Sequence, residues 1–326
     1  MGCVSGFALA MLACDGRKPA PEVAPMLPKP PPREGPLGFV YAPPFRVQGL
    51  SVAGEATAIQ VPELDIAFDM GACPRPLLAS PHVAVSHGHM DHIGALAYYC
   101  SQRKFQGMGP ATIFCDERLE KPIRRMMQGY VDLEQQVTPY QLLSLAPEQE
   151  RPLKPNVVLR AFHTEHTSPS MGYVVVEKRS KLKPEYADYP QEKLRELKSR
   201  GVEITRTLDV PLVACLGDTL PGPHLVRQDV RTAQIVVCEC TFVEPEHRDR
   251  ARVGMHMHLD DVVEWLPVLE CQTLVLTHLS RRSNMAQARR RLLEALEQTG
   301  ARCEALFLMD HRSCRARFEK QLAEAQ

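Results

Sequence analysis

An α/β fold is the class the chain predicts, and three observations point to it. Short apolar runs recur with the length and residue types of buried strands: His82-Val83-Ala84-Val85, Leu212-Val213-Ala214-Cys215-Leu216, Ile235-Val236-Val237-Cys238 and Thr273-Leu274-Val275-Leu276-Thr277. Stretches with a helical pattern lie among them, at 93–104 and 117–129 in the first half. Most of these runs end in residues that carry chemistry, and loops converging at strand ends are how an α/β sandwich builds a site. The 326 residues suffice for one large α/β domain or two small ones.

Taken in chain order, residues 1–36 do not read as fold. The short apolar run before Cys14 loosely matches a lipoprotein cleavage box, Met11-Leu12-Ala13-Cys14, but no Lys or Arg precedes it. Ten apolar residues are too few to span a membrane. Seven prolines fall within 19–32, so the segment is expected to be a disordered, stiff leader. A domain at 37–326 is expected after it. Residues 45–60 alternate and carry turn glycines, which predicts a hairpin. The strand Leu64-Asp65-Ile66-Ala67-Phe68 then ends in Asp69-Met70-Gly71.

The stretch Ser86-His87-Gly88-His89-Met90-Asp91-His92-Ile93-Gly94 follows an apolar run and leads into a helical pattern. Four metal-capable side chains fall within six residues. His87 and His89 alternate along an extended loop, so both can meet one cation, while Asp91 and His92 follow the turn and can serve a second. Imidazole with carboxylate suits Zn2+, and Mn2+ or Fe2+ tolerate the same donors.

H-x-H-x-D-H after an apolar strand resembles the metallo-β-lactamase superfamily, and the longer match resembles its ribonuclease Z branch, the tRNA 3′-processing endonucleases, in the short plant-like form. The likeness runs from about residue 47 to 283. It implies an αββα four-layer sandwich, with Asp69 bracing the metal loop rather than binding metal. His166, a few residues before Ser170-Met171-Gly172-Tyr173, matches a ligand position, with His163 as its competitor. Asp218 of Gly217-Asp218-Thr219 matches a bridging carboxylate, and His278 of His278-Leu279-Ser280-Arg281-Arg282 the final ligand. The resemblance thus implies two zinc ions: His87, His89 and His166 on one, Asp91, His92 and His278 on the other, Asp218 between. Two cations about 3.5 Å apart can acidify a shared water and stabilise the attacking and leaving oxygens of an in-line displacement. Asp91 could take that water's proton.

The family's His-Glu-Ala-Thr is Cys238-Glu239-Cys240-Thr241 here, so the glutamate survives and the histidine does not. His256, in Gly254-Met255-His256-Met257-His258, is the candidate acid for the leaving oxygen, with Glu239 orienting it. His258 either caps a helix or touches substrate. Residues 178–209 stand where the family inserts its tRNA-clamping arm. Lys178, Arg179, Lys181 and Lys183 are candidate phosphate contacts there, and Arg282 matches a family arginine. Arg118, Lys121, Arg124 and Arg125, like the cations from 281 to 291, either face RNA or simply face water.

Composition narrows this little. Lys+Arg and Asp+Glu are equal at 39, which neither supports nor excludes a tRNA substrate; hydrophobic content of 44% fits an ordinary soluble core. Eleven cysteines without a C-x-x-C pair fit a reduced cytoplasm, unless Cys14 anchors a lipoprotein. The reading is therefore a zinc-dependent endoribonuclease acting on precursor tRNA, a homodimer by family likeness. The alternative is a hydrolase of a small phosphodiester, sulfate ester or lactone on the same fold, which the metal site alone does not exclude. A non-catalytic RNA-binding module is disfavoured by the intact ligand set, and a di-iron oxygen-reducing protein by His89, where that class has a carboxylate.

Overall fold

The computed structural model describes residues 28–32 and 37–325. The apolar run with Cys14 and most of the proline-rich leader lie outside the described residues. Within 28–32, the Lys29 ammonium donates to Glu63 (3.1 Å).

The first half of the domain runs β1 (Gly38–Ala42), β2 (Phe45–Val52), β3 (Ala56–Val61), β4 (Ile66–Phe68), β5 (His82–Ala84), α1 (Met90–Ile93), α2 (Leu96–Phe105), β6 (Ala111–Asp116), α3 (Glu117–Glu134) and β7 (Tyr140–Leu145). Its seven strands form one sheet in sequence order, antiparallel to β4 and parallel from there. The second half runs β8 (Glu150–Lys154), β9 (Val157–His163), β10 (Met171–Leu182), α4 (Gln191–Ser199), β11 (Thr205–Cys215), α5 (Gln228–Arg231), β12 (Ile235–Glu239), α6 (Arg248–Gly254), α7 (Leu259–Trp265), β13 (Thr273–Thr277), α8 (Met285–Thr299), β14 (Glu304–Phe307) and α9 (His311–Glu324). These strands form a second seven-stranded sheet, again in sequence order.

Three apolar layers hold the sandwich together. Between the sheets, Val47, Ile59, Phe68 and Phe114 pack with Leu159, Tyr173, Val213 and Val275. Tyr99, Leu119 and Ile123 cover the outer face of the first sheet, and Trp265, Leu266 and Leu292 that of the second. The alternation of strand side chains between two faces feeds both an inner and an outer layer, so the sheets read as near-continuous apolar runs. The result is the αββα sandwich.

Helix limits follow local chemistry. Asp116 caps α3 by accepting the backbone N–H of Arg118, and Leu119, Ile123 and Met127 recur every fourth residue to bury one stripe. The helix continues past Gly129, the expected stop, to Glu134, because nothing at Gly129 imposes a turn. The helix expected at 93–104 is broken at Gly94 and Ala95, which separate α1 from α2. Tyr99 is buried, whereas Tyr98 is exposed.

The charged segment at 178–209 is the outer half of a long hairpin. β10 pairs with β9 only as far as Glu177, while its pairing with β11 continues to Leu182 opposite Thr205. Beyond Glu177 the two strands leave the sheet as a ribbon tipped by α4.

Candidate metal centre and its surroundings

Every candidate ligand stands at the carboxyl end of a strand, where the chain must turn and side chains converge in the crevice. His87 and His89 lie in the loop 85–89 after β5 with Asp91 and His92 in α1 just behind it, His166 lies between β9 and β10, Asp218 follows β11 and His278 follows β13, while Glu239, the orienting group, ends β12. Two glycines make the turns possible. At Gly217, φ is +64° and a Cβ would lie 2.6 Å from the Ser86 Cβ; at Gly71, a Cβ would lie 1.7 Å from the Asp91 carbonyl oxygen.

The donors form interlocking groups: His87, His89 and His166; His87, His92 and Asp218; Asp91, His92 and His278. The His166 Nε2 is 3.3 Å from the His89 Nδ1, and the His92 Nε2 is 3.3 Å from the His278 Nε2. Asp218 Oδ2 approaches His92, His278 and His87 at 3.2, 3.3 and 3.9 Å. Asp91 Oδ2 lies 3.3 Å from the His278 Nε2. His163 belongs to none of these groups among the described residues; it is exposed at the end of β9.

The second ring nitrogen of four of these histidines is engaged, which sets the tautomer. The His92 Nδ1–H donates to Asp69 (2.8 Å), that of His166 to the Met255 carbonyl (2.9 Å), that of His278 to the Thr241 hydroxyl (2.9 Å) and that of His87 to the Ser86 hydroxyl (3.0 Å). Each Nε2 lone pair therefore points inward. His87 tests whether this arrangement fits a metal: its Nε2 is buried and has no hydrogen-bond partner. Burial, with its neighbouring imidazoles, pushes His87 down to about 2, so it stays neutral, as a ligand must. A buried lone pair without a donor would be costly in any other role. The residues fit a metal-binding centre.

A polar shell braces the donors. Asp69 also accepts the backbone N–H (2.6 Å) and hydroxyl (2.8 Å) of Ser86. The tip of the β2–β3 hairpin reaches across from the first sheet: Gly54 N–H donates to Asp91 (2.9 Å), and the Ser51 hydroxyl accepts the His278 N–H (2.9 Å). Asp69, Met255 and His278 all hold positive φ, at 60°, 55° and 60°, conformations that cost a non-glycine residue roughly 1–3 kcal/mol each and cluster at functional sites.

Beside the donors, Glu239 accepts from the His256 Nδ1–H (3.0 Å), the Thr219 N–H (2.7 Å) and the Thr241 hydroxyl. Burial opposes the charge on His256, but Glu239 and Asp218 outweigh it and raise its pKa to about 9. Cys238 is buried on the far side of the strand with its thiol against Met257, so it takes no part in the crevice.

Three expectations about substrate contacts change. His258 does not face the crevice: it is fully buried, its Nδ1 accepts the Asp260 N–H as the cap of α7, and its Nε2–H donates to the Glu244 carbonyl. Lys178 is bound between Glu150 (2.9 Å) and Asp209 (3.0 Å), and Arg179 to Glu177 (2.7 Å). Neither cation is free for phosphate. Lys181 is exposed without a partner, Lys183 is 3.9 Å from Glu203, and the Arg282 guanidinium is exposed and unpaired among the described residues. Arg118 and Arg124 on α3 are engaged by Asp116 and Glu120. Missing from the sequence reading were Gly54, the Met255 carbonyl and the roles of Thr219 and Thr241. The signal for the threonines was their place in the Gly217-Asp218-Thr219 and Cys238-Glu239-Cys240-Thr241 stretches, which gave no contact for either side chain.

The fold and this centre define a member of the β-lactamase superfamily, and residues 71–279 match the profile of the β-lactamase superfamily domain. Among curated relatives, a chloroplastic tRNase Z of Arabidopsis thaliana is 30% identical over 261 residues, covering 79% of this chain and 74% of the relative. A second A. thaliana tRNase Z is 32% identical over 241 residues, 73% of this chain and 86% of the relative. The structure of the short form of human tRNase Z superposes with a TM-score of 0.52 at 17% identity, covering 83% of this chain and 95% of that one. The Bacillus subtilis metallo-β-lactamase-fold protein YhfI superposes at 0.53, 14% identical, covering 83% and 96%. The chain belongs to the tRNase Z family, and with it to the metal-dependent hydrolases of this fold.

Proposed function

We propose that the protein is a zinc-dependent endoribonuclease that removes the 3′ trailer from precursor tRNA and leaves a 3′-hydroxyl on the tRNA. The likeness to plant tRNase Z enzymes supports the reaction. One structural observation favours a polyanionic substrate over a small ester. Lys181 and Arg206 stand directly opposite each other on the protruding ribbon, both exposed and, among the described residues, without a carboxylate partner. Like charges in that register repel, and a polyanion lying across them would relieve the repulsion.

In this reading His87, His89 and His166 would hold one zinc and Asp91, His92 and His278 the other, with Asp218 in reach of both sets. Bound there, the cations supply Lewis-acid stabilisation of the attacking and leaving oxygens. The chain's own groups do the rest. Gly54 fixes the Asp91 carboxylate, which takes up the proton of the attacking water. Glu239 holds the His256 Nδ1–H, leaving Nε2 to protonate the leaving oxygen. The ribbon at 178–209 grips the tRNA body, and Arg282 meets a phosphate near the cut. A homodimer working in the cytoplasm completes the proposal. Among the described residues, no helix is long and apolar enough to cross a membrane.

The test is to incubate the full chain with a precursor tRNA bearing a 3′ trailer, with and without a chelator, and to map the ends. A single chelator-sensitive cut beside the discriminator base is expected. No cut, with rapid hydrolysis of a small phosphodiester or lactone, would transfer the function to a small-molecule hydrolase.

A further inference from the structure

Thr219 is completely buried and follows Asp218 directly. Its groups join three strand ends. The backbone N–H donates to Glu239 Oε1 (2.7 Å), on β12. The hydroxyl accepts the backbone N–H of Glu165 (3.0 Å), in the loop after β9, and donates to the Leu220 carbonyl (2.9 Å). The Leu220 N–H returns a bond to the Glu165 carbonyl (2.8 Å). Glu165 is thus clamped at both its backbone groups by residues 219 and 220, and its neighbour is His166.

The rest of that loop is tied mainly to itself, through Thr164 and Ser170. Its bonds to other parts of the chain are few. Among the described residues, besides the Glu165 clamp there are the His166 bonds to the Met255 carbonyl and to His89 (3.3 Å) and a 3.4 Å approach of Thr167 to His89. The clamp therefore fixes the backbone next to His166 on the Asp218 side, while the Met255 carbonyl holds the ring nitrogen. The His166 and Asp218 side chains, with His256, come within 4.8 Å of one another.

We infer that the Thr219 hydroxyl is a positioning group of the metal centre: it holds the His166 loop in register with Asp218, and so tunes the affinity of the cation that uses His166. This rests on the two-cation reading above. A β-branched residue suits the buried position, but of the β-branched residues only threonine also offers an acceptor to Glu165. Valine keeps the shape and removes the acceptor. Serine keeps the acceptor and removes the methyl.

The test titrates zinc ions alone into the metal-stripped full chain against a chromogenic chelator, for wild type, Thr219→Val, Thr219→Ser and His166→Ala. Circular dichroism of each metal-free protein reports the fold. Partner groups behind metal ligands typically change affinity by about 10–100-fold. Thr219→Val is expected to weaken, in that range, the same ion that His166→Ala removes, while Thr219→Ser stays within about threefold of wild type, well short of that range. Valine binding both ions as wild type does would overturn the inference, and so would serine losing as much as valine. If Thr219→Val does not fold, Thr219→Ala takes its place, and unfolding of both would assign Thr219 a purely structural part. A wild-type chain that takes up no zinc would instead sink the two-cation reading itself.

Discussion

The repelling pair on the ribbon gives a prediction with two readouts of opposite sign. Lys181 and Arg206 are cross-strand partners, whereas nearby Lys178 and Arg179 are neutralised by Glu150, Asp209 and Glu177. If both free cations lie on phosphates, each steepens the fall of log affinity with log salt by about 0.9. The two together make wild type lose about tenfold more affinity than the Lys181→Ala/Arg206→Ala protein between roughly 50 and 200 mM salt. The assay is tRNA binding to chelator-inactivated protein at four or five salt concentrations. In the same variant the hairpin loses a like-charge contact, so thermal stability should rise slightly rather than fall. Lys178→Ala should do the reverse, leaving the slope unchanged and lowering stability. Equal salt slopes for wild type and the double variant would refute the argument, because charge without phosphate contact cannot release counterions.

Three further outcomes are expected at the centre. Asp69→Asn keeps an acceptor for Ser86 but meets His92 with a donor, so the His92 tautomer is lost; zinc affinity should fall about 10–100-fold by chelator competition. His256→Ala should slow turnover about 10²–10⁴-fold while two zinc ions remain by elemental analysis; loss of an ion would make His256 a ligand instead of an acid. Gly71→Ala drives a Cβ into the Asp91 carbonyl and must displace the loop carrying Asp91 and His92, lowering metal content and melting temperature together. An unchanged melting curve would show that the loop yields without cost.

What could be read from the chain followed how locally each feature is encoded. The donors of 87–92 are neighbours in sequence, and their strand-then-helix setting carries its own signature, so the centre's first half was legible without any contact information. His166, Asp218 and His278 needed likeness to a family, because nothing in a strand's own residues says which strand end it will face. Gly54 and the Met255 carbonyl were invisible for a further reason: they act through backbone, and a backbone group carries no residue identity. Lys178 looked free because its partners lie 28 and 31 residues away across strands. His258 illustrates the ambiguity of a polar residue at a helix start, where capping and substrate contact leave the same trace. The α3 boundary was misjudged because Gly129 weakens a helix without ending one.

The order of strands has a consequence for how the molecule comes apart. Each sheet is one unbroken stretch of chain, β1 to β7 and β8 to β14, and the backbone passes between the sheets through residues 146–149. His87, His89, Asp91 and His92 belong to the first stretch, and His166, Asp218 and His278 to the second. Any cation held by both sets is a removable staple between two half-molecules. Its contribution scales with the free ion, about 2.7 kcal/mol at a hundred times the dissociation constant, and vanishes with chelation. A chain nicked at 146–149 would then be held together by the inner apolar layer, by α9 lying back against β1, and by the ion itself. Metal supply would thus govern the lifetime of the protein as well as its chemistry.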